Sequence, residues 1–135
     1  MMTVRIYKEV EFDASHRLLH YVGKCHNLHG HRWKVEVWIE GGPDPVSCIV
    51  LDYARIKQVV QRFDHQIVLN RDDPMVAAIE AFHPVITTVG DPTSELLAKV
   101  IADDLDAECR NAGVAARVTS IRVWESPNAC AELVR

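Results

Sequence analysis

The sequence predicts an α+β fold: an antiparallel sheet with two helices on one face, in the order β-β-α-α-β-β. Three observations predict it. Polar and apolar residues alternate near both ends of the chain, the two-residue period of a half-buried strand. Two internal stretches repeat every three or four residues, the period of an amphipathic helix. Turn-forming clusters such as "GGPDP" at 41–45 separate the two kinds of pattern.

Each element has its own signal. Val4, Ile6, Val10 and Phe12 share one face of a first strand, with Lys8 the exception; Arg5, Tyr7, Glu9 and Glu11 share the other. Trp33, Val35, Val37 and Ile39 repeat the pattern over residues 31–40. These two strands are expected to pair as an antiparallel hairpin with a long connection, residues 14–29. Ile56, Val59, Val60 and Phe63 then mark a helix, with Asp52 a fair N-cap and Tyr53 the other candidate start. Asp73 and Pro74 can open a short helix through about Phe82. A clear second helix follows "PTSE": Thr93 or Ser94 caps it, Leu97, Val100, Ile101 and Leu105 line its buried side, and Gly113 stops it. "ARVTSIRVWE" and "CAELVR" supply the closing strands. The opposite sheet face, with Arg5, Glu9, Glu11, Lys34 and Glu36, meets either bulk water or a solvated channel in an oligomer.

At 135 residues the chain suits one domain, 1–135. No apolar run approaches the roughly 20 residues that cross a membrane, and the N-terminus lacks the core of a secretory signal. A cytoplasmic protein is expected. A net charge of −4 excludes a generally basic nucleic-acid binder. Cysteines at 25, 48, 109 and 130 form no compact disulfide framework, so free thiols are expected; Cys48, Cys109 and Cys130 sit in apolar contexts that read as structural.

Chemistry concentrates in "KCHNLHGHRW", residues 24–33. His29 and His31 are two apart, so on a strand both imidazoles reach one point. Gly30 removes bulk between them. His16, ending "FDASH", is the best third ligand if the hairpin lays it alongside. Three imidazoles with an open fourth position describe a catalytic zinc site; an exposed polar surface is the plain alternative for the pair alone. Cys25 is a fourth ligand, a core thiol or a reactive base. Asp64 and His65 adjoin at a helix end, where a carboxylate can fix an imidazole's tautomer or the histidine can balance the helix dipole. Glu125 ends a strand and is either solvated or able to accept two parallel N–H bonds from a flat amidine-like ligand. Glu95 reads first as a first-turn acid favoured by the helix dipole. Arg17, Lys24 and Arg32 offer positive charge nearby.

In this order, H…C-x₃-H-G-H, D-H, P-T-S-E and a strand ending in Glu, the motifs resemble the 6-pyruvoyltetrahydropterin synthase and 6-carboxytetrahydropterin synthase family over nearly the whole chain. The resemblance implies the tunnelling fold, in which trimers close their sheets into a barrel and two trimers stack as a homo-hexamer. It implies zinc on His16, His29 and His31, a catalytic thiol at Cys25 and an acid/base pair at Asp64 and His65. It implies a pterin anchor at Glu125 and a pocket wall at Thr93 and Glu95, with the site between subunits. The three-residue gap "HNL" is similar to the 6-carboxy enzymes of queuosine biosynthesis; a 6-pyruvoyl enzyme is the alternative, and a non-catalytic zinc- and pterin-binding protein the second. A further group with glutamate in place of the cysteine serves folate synthesis, and Cys25 argues against it. The implied reaction converts 7,8-dihydroneopterin triphosphate to 6-carboxytetrahydropterin, releasing triphosphate and acetaldehyde. The segment 71–91 is longer than in compact members.

Overall fold

A computed structural model describes residues 2–135. The chain runs β1 (Val4–His16), a 3-10 turn (Lys24–His26), β2 (His29–Gly41), α1 (Tyr53–Gln61), β3 (Gln66–Asn70), α2 (Met75–Glu80), β4 (Val85–Thr88), α3 (Ser94–Asn111), β5 (Ala116–Ser126) and β6 (Ala129–Val134). The strands form one six-stranded sheet in the order β4-β3-β1-β2-β5-β6. The four expected strands are present, the last of them short, and β1-β2, β2-β5 and β5-β6 are antiparallel.

Two strands are added to the expected order. β3 joins β1 in parallel, and β4 joins β3 in parallel, extending the otherwise antiparallel sheet at one edge. β3 is "QIVLN", and Val68, Leu69 and Asn70 are all buried. A strand covered on both faces has a continuous apolar run in place of alternation. The short helix expected from Asp73-Pro74 is α2, and it makes the crossover between β3 and β4. The hairpin connection is shorter than 14–29, because β1 continues to His16 and β2 starts at His29.

β1 alternates in burial to its last residue: Val10, Phe12, Ala14 and His16 are buried while Glu9, Glu11 and Asp13 are exposed. β2 mirrors it with Trp33, Val35, Val37 and Ile39. The helices lie over this face. The Asp52 carboxylate caps α1 by accepting from Ala54 N, and Thr93 caps α3 by accepting from Leu96 N. Gly113 follows α3 at φ 69°, a conformation that costs a side-chain-bearing residue energy. Ile56 and Val60 of α1 and Leu97, Ile101 and Leu105 of α3 fill the core. Phe63, just beyond α1, stacks on Phe12 at 5.7 Å between ring centroids, and Phe12 stacks on Trp33 at 6.1 Å. The indole N–H of Trp33 donates to Ala14 O at 3.2 Å, so the ring is fixed as well as buried.

The other sheet face is polar and internally bonded. The Glu36 carboxylate accepts from Tyr7 Oη at 2.7 Å and from Trp124 Nε1 at 2.6 Å. The Arg122 guanidinium lies over Trp38, 5.1 Å from the ring centroid. No helix among the described residues is long and apolar enough to cross a membrane.

All four cysteines are free, as expected. Cys109 is buried in the core, but Cys48 and Cys130 are exposed. Cys48 lies in the loop before α1, and Cys130 lies on edge strand β6 opposite Trp124, on the polar face of the sheet. The apolar surroundings of these two in sequence are not their surroundings in space.

Phe63 is fully buried at the junction of helix and sheet. Phe63→Ala is expected to lower stability by about 3–5 kcal/mol, the usual result of truncating a core aromatic. The shift in urea midpoint measures it, and a loss below about 1 kcal/mol would show that the helix-sheet junction is not tightly packed there.

A candidate metal centre at the end of the sheet

Strand register assembles the centre. His16 pairs with His29 across the β1-β2 ladder, and Ala14 pairs with His31. On each strand the histidines continue the core-facing row of alternate residues. His16 follows Phe12 and Ala14; His31 and His29 precede Trp33. The ring centroids of His16 lie 4.7 Å from His29 and 5.2 Å from His31.

Glu125 completes the group from β5. It too continues a core-facing row, after Ile121 and Val123. Pairing with β6 shifts register between Trp124 and Ser126, which leaves Glu125 as an extra residue. Such a bulge bends the strand and re-aims the side chain. One ligand atom each from His16, His29, His31 and Glu125 lies within 4.8 Å of all the others.

The hydrogen bonds at the rear of the rings set their tautomers. His16 Nδ1 lies 2.8 Å from Pro92 O, and His29 Nδ1 lies 2.6 Å from Asn27 O. A carbonyl only accepts, so each Nδ1 carries the proton and each Nε2 keeps a lone pair. His16 is 2% exposed, and its Nε2 has no hydrogen-bond partner. His31 Nε2 lies 2.9 Å from Glu125 Oε1 but is not aligned for a hydrogen bond. Burial lowers the pKa of both His16 and His31, which favours neutral, lone-pair-bearing rings. Unpartnered buried nitrogens, neutral imidazoles and one carboxylate match the donor set of a divalent transition ion.

Gly30 is not needed for bulk on the histidine side. Its own position is on the opposite, exposed face, where an added Cβ would meet Ser15 Oγ at an ordinary 3.6 Å.

The Asp64–His65 pair lies beside β1. His65 Nδ1 lies 3.0 Å from Asp64 Oδ2, while Asp64 Oδ1 accepts from Asp13 N at 2.9 Å. The Asp13 backbone N–H holds the Asp64 pKa below the usual carboxylate range, helped by His65. His65 has φ 60°, and its own N–H donates to Asp13 O at 2.7 Å. Left-handed backbone in a residue with a side chain costs on the order of 1 kcal/mol or more, and the ladder-like bonds to Asp13 hold it. His65 and His31 border one open cleft of about 540 Å³. His65 and one histidine of the cluster thus face the same cleft within a single chain.

Cys25 lies on the 3-10 turn, half-buried, with its carbonyl accepting from Leu18 N at 2.9 Å. Thr93 caps α3, and Glu95 is exposed and accepts from Ser94 Oγ. Both stand on the segment whose Pro92 carbonyl supports His16. Of the three cations near the site, Arg17 is forked onto buried Asp73 at 2.5 Å, and Arg32 pairs with Glu11 and Asp13. Among the described residues only Lys24 of the three has no carboxylate partner. Sequence reading missed the carboxylate in the cluster as a possible ligand: the alternation of Ile121, Val123 and Glu125 is a local signal for its face, but the pairing of β5 beside β2 is not legible in sequence.

Residues 5–135 match the family model described as 6-pyruvoyl tetrahydropterin synthase. A 6-carboxy-5,6,7,8-tetrahydropterin synthase of Aquifex aeolicus is 30% identical, over 97% of this chain and 98% of that one. A protein of the same name from Rickettsia felis is 28% identical, over 96% and 99%. Among solved structures, the 6-pyruvoyl tetrahydropterin synthase of Caenorhabditis elegans aligns over 100% of this chain and 97% of that one, with a TM-score of 0.67 and 26% identity. An uncharacterized protein from Wolinella succinogenes has the same fold, at TM-score 0.78 and 20% identity.

Purified protein is expected to hold one divalent transition ion per chain, and His16→Ala to lose it. Metal analysis after gel filtration measures this. Added ion at about a hundred times its dissociation constant should stabilise the wild type by about 2.7 kcal/mol and leave the variant unmoved. Equal metal content in both proteins would remove His16 from the ligand set.

Proposed function

Because the chain belongs to the 6-pyruvoyl tetrahydropterin synthase family, we propose that it is a zinc-dependent 6-carboxy-5,6,7,8-tetrahydropterin synthase acting on 7,8-dihydroneopterin triphosphate. The observation that carries this reading is the convergence of the three imidazoles and Glu125, with two Nδ1–H groups already committed to carbonyls. Full-length similarity to relatives named 6-carboxy-5,6,7,8-tetrahydropterin synthase supports the choice within the family. The three residues between Cys25 and His29 favour the same branch and a place in queuosine biosynthesis.

His16, His29 and His31 would hold the zinc, which when bound would supply Lewis acidity. The residues of the chain do the rest. Glu125, at the rim of a cavity of about 580 Å³ with Trp124 and Lys34, accepts the flat N–H edge of the pterin ring. Thr93 and Glu95, on the segment that follows Pro92, are read as part of the pterin-binding region. Cys25, as thiolate, takes a proton from the side chain, and His65, oriented by Asp64, delivers protons in the opposite sense. Triphosphate leaves by elimination. The side-chain hydroxyl carbon is oxidised as the ring is reduced, so no nicotinamide is consumed. Water then adds to the oxidised side-chain carbon next to the ring, and cleavage of its bond to the following carbon releases acetaldehyde and leaves the 6-carboxylate.

The active assembly on this reading is a cytoplasmic hexamer of two stacked trimers, with the polar sheet faces lining the tunnel. The bonded row of Tyr7, Glu36 and Trp124 on that face and the position of β6 at the edge of the sheet support it.

Incubation of the zinc-loaded protein with 7,8-dihydroneopterin triphosphate, read by mass spectrometry, is expected to give 6-carboxytetrahydropterin and acetaldehyde. Only 6-pyruvoyltetrahydropterin would place the protein in the other branch, and no turnover with zinc bound would leave a pterin-binding protein. Glu125→Gln is expected to keep the metal and weaken pterin binding by about ten- to a hundredfold, the loss of a charged hydrogen-bonding partner. Metal lost together with affinity, followed by metal analysis and pterin titration, would make Glu125 a ligand instead.

A further inference from the structure

The loop between β1 and β2 is tied down residue by residue immediately after His16. Arg17 forks onto Asp73, whose side chain is completely buried. Leu18 N donates to Cys25 O at 2.9 Å, and Leu18 O lies within 3.4 Å of His26 Nδ1. Leu19 N donates to Asp91 Oδ1 at 3.0 Å, and His20 N donates to Asp91 Oδ2 at 2.9 Å. A third donor, the buried amide of Asn70, reaches Asp91 Oδ1 at 3.0 Å. The residue after Asp91 is Pro92, whose carbonyl accepts from His16.

Three N–H groups converge on one side chain there. Only a carboxylate accepts all three without turning a donor of its own toward one of them. Asn70, Asp73 and Asp91 stand at the two ends of the long segment 71–91, outside the loop they grip. Leu18 sits between the gripped stem and the turn that bears the thiol, so the position of the stem is the position of the turn.

We propose that Asp91 is a positioning residue for Cys25: it fixes the stem at Leu19 and His20, and Leu18 transmits that placement to the thiol. This rests on the reading of Cys25 as the catalytic base. It also gives the segment 71–91 a task, which is to hold the thiol loop at a set distance from the histidine centre. Arg17, gripped by Asp73, secures the same stem from the other side and is unavailable for binding triphosphate.

The test is Asp91→Asn in the zinc-loaded protein, which presents an amide N–H to converging donors while keeping shape. Two readouts are compared with the wild type: turnover, and the rate at which Cys25 is alkylated by iodoacetamide, resolved from Cys48 and Cys130 by peptide mass spectrometry. The expected result is unchanged zinc content, KM within about twofold and kcat lower by about ten- to a hundredfold, the effect of a small misplacement of a reacting group. Cys25 alkylation should be faster by about threefold or more, as a loosened turn exposes a half-buried thiol. Unchanged Cys25 alkylation would overturn the proposal, as would a loss of kcat that only tracks lost zinc. If Asp91→Asn does not fold, Arg17→Lys, which replaces the forked contact by a single one, is read in the same way. Cys25→Ala run in parallel separates the two ideas. Full turnover in that variant would sink the base assignment, while the alkylation rate still decides whether Asp91 holds the loop.

Discussion

The register between β1 and β2 is the constraint on which the rest depends, because side chains on a strand alternate faces and a shift of one residue reverses all of them. Phe12 opposite Trp33 and Val10 opposite Val35 fix it by burial. The same register, continued a few residues further, sets His16 opposite His29 and puts His31 diagonally beside them. The core and the candidate metal centre are therefore one row of side chains. Where α1 and α3 cover the row it is apolar; where their cover ends it turns to imidazole. Energy gained by burying Phe12, Trp33 and Phe63 positions the histidines without any local device of their own.

Electrostatics complete what register begins. Placing three imidazoles together is costly if they are charged, and burial keeps His16 and His31 below the ordinary imidazole pKa. Backbone carbonyls of Pro92 and Asn27 take the Nδ1 protons, so each ring has one orientation and one free lone pair. Glu125 adds a negative charge at the mouth. The remaining deficit is an orphaned Nε2 on a buried histidine, and an unmade bond of this kind costs on the order of 1–3 kcal/mol in a protein interior. A cation among these donors removes that deficit, so folding and metal binding support each other.

The polar face obeys a different rule. Its carboxylates, aromatics and cations bond to each other: Tyr7 and Trp124 to Glu36, Arg122 to Glu132 and over Trp38. Burial, together with Glu36 and Glu9, pushes the Tyr7 pKa up, so the phenol stays protonated and donates. Trp124, held from this face, is the neighbour of bulged Glu125. One strand end thus serves both faces, with a fixed indole on one and an aimed carboxylate on the other.

The sequence by itself determined the alternating faces of β1 and β2, the His-x-His pair and the adjacency of Asp64 and His65, and narrowed the helix starts to Asp52 or Tyr53 and Thr93 or Ser94, because each rests on a short-range period or contact. Tertiary structure decided what depends on distant partners. β3 and β4 carry short β-branched runs, but their parallel pairing, and the two-sided burial of β3, exist only once β1 and the crossover through α2 are in place. Glu125 joins the histidines because β5 lies beside β2, which brings the end of its core-facing row to theirs, and that pairing is a property of two strands far apart in sequence. Asp91 looks in sequence like any acid before a helix; its grip on Leu19, His20 and Asn70 spans tens of residues, and no local pattern records it.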